Sequence, residues 1–146
     1  MTQTIAFACD HAGVELKREL MAYLPTLGDY VPLDLGTEGN ASVDYPDFGH
    51  AAAQALLSGK AALGVVVCGS GVGISIAANR HPGIRAALCA NGLMARLSRQ
   101  HNDANILALG ARIVGVEVAK DCLSEFLKTP FEGGRHQKRI EKLDHN

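Results

Sequence analysis

The chain has 146 residues, 47% of them hydrophobic, with 14 Lys and Arg against 15 Asp and Glu for a formal net charge of −1. That length fits a single domain with a sizeable core. The near-neutral balance excludes a general binder of nucleic acid and leaves room only for a local basic cluster. No run approaches the roughly 20 apolar residues of a membrane helix. The opening stretch "MTQTIAFACDHAG" has no basic segment leading into an apolar one, so no signal peptide and no membrane partner are expected.

Residues 4–9, "TIAFAC", read as the first strand, and Asp10-His11 follow it. Leu16, Leu20 and Leu24 recur every four residues beside Met21 and predict a helix. A second strand over 31–36, "VPLDLG", precedes "DYPD", where Pro46 suits the first turn of a helix that Gly59 can stop. Residues 63–69, "LGVVVCG", form the third strand and enter a glycine loop that opens a short helix. The fourth strand covers 84–90, "IRAALCA", and its helix carries Leu93 and Leu97. The fifth covers 105–111, "NILALGA". Its helix carries Val118, Cys122 and Phe126, with Ala119, Leu123 and Leu127 alongside. The strands are apolar without alternation, as strands buried on both faces are. Strand and helix alternating five times predict an α/β fold, a Rossmann-like three-layer sandwich with a five-stranded parallel sheet. Residues 1–146 read as one domain whose last segment, 130–146, becomes polar and basic at a Gly-Gly break.

Parallel sheets bind ligands at the carboxyl ends of their strands. Those ends offer Asp10 and His11, then Cys68 to Gly73, then Asn91, then Arg112. His101 and Asn102 stand just before the fifth strand, so the reactive residue types are expected on one edge of the sheet. In "CGSGVG", Gly69, Gly71 and Gly73 let the backbone approach a ligand closely and present its N–H groups to an anion. The loop is neither a P-loop, since no Lys-Ser/Thr follows Gly73, nor a GxGxxG turn after the first strand. By itself it could equally be a tight turn. Cys68 at its mouth strengthens the functional reading, because a thiolate serves as nucleophile or general base. Cys9, Cys89 and Cys122 fit better as buried small hydrophobes. None of the four has CxxC spacing, which reads as reduced thiols in a cytoplasmic protein with no disulfide framework and no zinc site. Asp10 suits a sugar hydroxyl or a helix N-cap. Arg135 and Arg139, four apart, share a helix face that suits a phosphate or simply solvent.

Taken together, "CDHAG", "DYPD", "CGSGVGISIAANR", "SRQHNDANILALGAR" and "FEGGRHQKRI" resemble the signatures of type B ribose-5-phosphate isomerases and the related galactose-6-phosphate isomerase subunits, from residue 5 to about 140. The resemblance implies an aldose–ketose isomerase of the pentose phosphate pathway that needs neither metal nor cofactor. It implies Cys68 as the base that moves a proton between C1 and C2 through a cis-enediolate. Ser70 and the amides of Gly69 to Gly73 would stabilise the enediolate oxygen. Asp10 would hold sugar hydroxyls, and His101 would open the furanose ring with Asn102 close by. His11, Arg112, Arg135 and Arg139 would bind the phosphate. It further implies a homodimer, or a dimer of dimers, with sites shared between subunits and the tail of 130–146 reaching across. Family members commonly have Thr where Ser70 stands, which keeps the hydroxyl. Some replace the cysteine with a glutamate in the short helix, but Gly73-Ile74-Ser75 offers no carboxylate here. The chemistry agrees, because an α-hydroxyaldehyde proton needs both a base and preorganised donors for the oxyanion. Isomerisation of allose 6-phosphate or galactose 6-phosphate is the nearest alternative. A non-catalytic phosphosugar-binding module has no use for Cys68, and a thiol redox protein lacks its CxxC.

Overall fold

The computed structural model describes residues 1–144. Strands β1 (Gln3–Cys9), β2 (Tyr30–Asp34), β3 (Leu63–Cys68), β4 (Ala86–Leu88) and β5 (Ile106–Gly110) form one parallel sheet in the order β2-β1-β3-β5-β4. The connecting helices are α1 (Val14–Tyr23), α2 (Tyr45–Leu57), α3 (Val72–Ala78) and α4 (Gly92–Asn102), followed by α5 (Val116–Lys128) and α6 (Arg135–Glu141). Alternation along β3 divides the core. Val65 and Val67 join Leu20, Leu109 and Phe126 under α1, α4 and α5, whereas Val66 and Cys68 join Ala52, Ile74 and Ala78 under α2 and α3. The α/β sandwich with a five-stranded parallel sheet is thus as the alternation of elements predicts.

Four local readings change. The outer strands β2 and β4 are not buried on both faces. Val31 is 44% exposed, and Pro32 is tolerated because its strand is an edge. β4 is three residues long instead of seven. The buried side of α4 is Gly92, Ala95 and Ser98, not the leucines, and Leu93 is 51% exposed. Small residues win there because α4 lies close on α5, where a Cβ on Gly92 would overlap the Asp121 carboxylate. On α5, Val118 likewise faces outward while Cys122 and Phe126 are fully buried.

The end of β2 is fastened by Lys17, whose buried ammonium donates to the Asp34 carboxylate and the Thr37 carbonyl. Burial alone would raise the Asp34 carboxyl, but Lys17 and the Gly36 N–H outweigh it and hold the group below its usual range. After α5 the chain breaks at Gly133 and Gly134, both at positive φ (67° and 56°). It then docks α6 on α4 of the same chain through His136 and Ile140.

Candidate active site

The sheet order reverses between β1 and β3: the chain leaves β1 for β2 on one side and returns to β3 on the other. A crevice opens at such a switch point at the carboxyl ends of the two strands. Asp10 follows β1 there, and Cys68 ends β3. The Asp10 amide donates to the Val67 carbonyl (3.2 Å), which ties the two ends together. One Asp10 oxygen caps the next turn by accepting the Ala12 N–H at 3.0 Å, so the capping role is real. Its other oxygen makes no hydrogen bond among the described residues. His11 Nδ1 accepts the Val43 N–H at 3.2 Å. Since a backbone N–H can only donate, the ring proton sits on Nε2, leaving an N–H donor for an anion.

Cys68 is 4% exposed, and its Sγ accepts the Gly71 N–H at 3.2 Å. The loop is therefore folded around the sulfur. Gly71 can do this because its φ is +79°, a conformation that L side chains rarely adopt. A Cβ there would also lie 2.6 Å from Leu88 Cδ1 and 2.8 Å from the Leu109 carbonyl carbon. Gly71→Ala is expected to destabilise the fold by at least about 2–4 kcal/mol through backbone strain and overlap. Urea unfolding measures this, and an unchanged midpoint would contradict it. Burial pushes Cys9 up to about 11, Cys89 to about 12 and Cys122 to about 11, so they stay protonated at neutral pH.

Ser70 is exposed and its Oγ accepts the Val72 N–H at 3.1 Å. The Arg112 amide donates to the Gly69 carbonyl (2.9 Å), and its guanidinium lies so close over Gly69 that a Cβ would stand 3.3 Å from Nη1. Gly73 has the Tyr45 ring against it, where a Cβ would come within 2.5 Å of Cε1. Sequence reasoning passed over Tyr45. Its signal is its place in "DYPD", as the first residue of α2 and one before Pro46.

His101 and Asn102 are not on this edge. A helix joining two parallel strands runs back against them, so α4 begins at the carboxyl edge and ends at the amino edge. The contacts agree: Arg85, which precedes β4, donates from Nε to the Asn102 carbonyl at 3.1 Å and receives the Asn105 amide at its own carbonyl. Asn102 lines a cavity of about 710 Å³ there with Arg80, His81 and Arg85. The expectation of one shared edge is therefore wrong for these two residues. Standing before a strand in sequence places a residue at that strand's amino end. The strands between the edges have five or six residues, roughly 15–20 Å at about 3.3 Å each. Arg135 and Arg139, both exposed, belong with His101, because the His101 ring stacks on His136 of α6. The candidate residues of one chain thus fall into two clusters. Asp10, His11, Cys68, Gly69, Ser70, Gly71, Gly73 and Arg112 lie at the carboxyl edge, and His101, Asn102, Arg135 and Arg139 at the amino edge.

Comparison with known proteins brings these features together. The family model described as ribose/galactose isomerase matches residues 5–143. Ribose-5-phosphate isomerase B of Escherichia coli is 48% identical over 139 residues, covering 95% of this chain and 93% of that protein. The structure of Clostridium thermocellum ribose-5-phosphate isomerase B is 55% identical with a TM-score of 0.94, covering 97% of this chain and 95% of that one. The Thermotoga maritima ribose 5-phosphate isomerase structure is 50% identical with a TM-score of 0.95 and covers 99% of each chain. The match runs through both edges of the sheet and the tail, and this chain belongs to the ribose/galactose isomerase family.

Proposed function

We propose that the protein interconverts D-ribose 5-phosphate and D-ribulose 5-phosphate. The observation that carries this reading is the Cys68 sulfur held at 3.2 Å by the Gly71 amide inside a loop of small residues. The likeness to ribose-5-phosphate isomerases B over almost the whole chain supports the pentose substrate. In this reading His101 takes the proton of the anomeric hydroxyl as the C1–O4 bond breaks and the aldehyde forms, and returns that proton to the ring oxygen O4. The Cys68 thiolate then removes the C2 proton. Charge moves onto O1, where the loop amides and the Ser70 hydroxyl receive it. The O2 proton passes to O1's side of the enediol, and the Cys68 thiol returns its proton to C1 to leave a ketone at C2. Atoms and charge balance without a redox partner.

The two half-sites lie too far apart to serve one substrate within a chain, which favours a homodimer that brings the carboxyl edge of one copy to the amino edge of the other. Val72 and Ile76 on α3, Leu88 on β4, and Leu93 and Met94 on α4 are exposed apolar side chains beside the glycine loop, and they suit such a contact. Four reduced thiols fit a cytoplasmic setting. Among the described residues no helix is long and apolar enough to cross a membrane.

The direct experiment is isomerisation of ribose 5-phosphate beside allose 6-phosphate and galactose 6-phosphate, all with EDTA present. The pentose is expected to be preferred and EDTA to have no effect. Preference for a hexose phosphate would reassign the substrate, and loss in EDTA would overturn the metal-free mechanism. His101→Asn is expected to slow ribose 5-phosphate at least about 100-fold. D-Erythrose 4-phosphate, which cannot close a furanose ring, should be turned over nearly as before. Equal losses on both would remove the ring-opening role.

A further inference from the structure

The amino-edge half-site contains a group that the proposed mechanism does not use. The rings of His101 and His136 stack with centroids 4.5 Å apart and planes 17° from parallel. His136 is 6% exposed, yet its Nε2 is buried without a hydrogen bond among the described residues. The Glu132 carboxylate stands 3.5 Å from that nitrogen. An orphaned buried nitrogen is costly, and an apolar side chain would satisfy the packing better. A histidine here is therefore not explained by stability. His101, Glu132 and His136 have the composition of a zinc site, with ligand atoms within 4.8 Å of one another. The stack argues against that use. A ligating imidazole directs its lone pair in the plane of its ring, and two nearly parallel planes face to face do not meet at one ion.

We propose that His136 is a positioning residue that holds the His101 imidazole in the plane needed for ring opening. This rests on the reading of His101 as the ring-opening group. His101 is only half-buried at the last turn of α4, and the terminal torsion of a histidine is broad. The flat face of His136 restricts that torsion. Glu132 faces the far nitrogen of His136 and limits the ring's own rotation. The same contact sets the spacing of the half-site. His136 and Ile140 form the buried side of α6, while Arg135 and Arg139, each one residue earlier, face outward. The stack thus fixes how far the arginines stand from the imidazole.

The test compares His136→Leu, which removes the flat face, with His136→Phe, which keeps it. Both remove the buried nitrogen together with its Glu132 contact, so both should melt at about the same temperature. His136→Leu is expected to lower kcat on ribose 5-phosphate at least about tenfold, since small misplacements of a proton-transfer group have effects of this size. Its kcat on D-erythrose 4-phosphate should stay within about twofold. His136→Phe should recover most of the lost rate on ribose 5-phosphate. Equal losses on both substrates, or a Phe variant no better than Leu, would overturn the positioning role. His101→Asn run alongside separates the two claims. If it shows the substrate selectivity and His136→Leu does not, this inference alone falls. If His101→Asn shows none, the ring-opening reading falls and this inference with it.

Discussion

Cys68→Ala is expected to reduce kcat on ribose 5-phosphate by more than the roughly 10²–10⁴ typical of losing a general base, with KM changed only a few-fold. The reason is local. The loop holds the sulfur through the Gly71 N–H at 3.2 Å, and alanine leaves that amide with nothing to donate to. The hydroxyls and the other thiol nearest the loop do not replace it. Ser75 is buried and its hydroxyl already donates to the Val72 carbonyl at 2.7 Å. Ser70 spends its oxygen on the Val72 amide. Cys9 lies on the opposite side of the sheet from Cys68 and is kept protonated by burial. Binding should survive, because the phosphate and hydroxyl ligands proposed here are other residues. Steady-state kinetics with a coupled ketose assay measures both constants. Near-normal turnover would move the base elsewhere, and a KM rise matching the fall in kcat/KM would make Cys68 a binding residue.

The carboxyl-edge cluster is legible in the sequence because its placement depends on short-range rules. Apolar runs without alternation marked β1, β3 and β5, and the glycines after Cys68 marked where backbone must approach closely. Positive φ at Gly71, Gly133 and Gly134 shows those punctuations at work. The failures were of longer range. Nearness to β5 in sequence suggests the carboxyl edge for His101 and Asn102, whereas the direction of α4 carries them to the amino edge. Leu93 and Leu97 are the apolar signal of α4 in the sequence, whereas close packing of α4 on α5 selects Gly92, Ala95 and Ser98. Tyr45 against Gly73 and His136 against His101 had no signal beyond lying inside a motif, since each matters only through a partner distant in the chain.

The second large effect is expected at the tail. Arg135 and Arg139 lie one turn apart on the exposed side of α6, beside the His101 stack and at the other edge of the sheet from His11 and Arg112. If they clamp the phosphate of a substrate seated on a neighbouring copy, each charge-assisted hydrogen bond is worth about 1.5–3 kcal/mol. Losing both should raise KM by about two orders of magnitude or more. The same variant should bind inorganic phosphate correspondingly more weakly in competition with ribose 5-phosphate. An unchanged KM would return the tail to a solvated basic helix.

The claim on which the rest depends is that each site joins the carboxyl edge of one copy to the amino edge of another. It is tested by mixing Cys68→Ala with Arg135→Ala/Arg139→Ala under conditions that exchange subunits, and measuring isomerase activity at ribose 5-phosphate well below the raised KM of the arginine variant, where each protein alone turns over almost nothing. In a two-fold dimer a mixed pair has one site carrying both defects and one carrying neither. Statistical exchange of equal amounts should restore activity to about a quarter of the parent enzyme, because half the dimers are mixed and each has one working site. No recovery, with exchange demonstrated by differently tagged subunits, would mean that each chain builds its own site and would contradict the account.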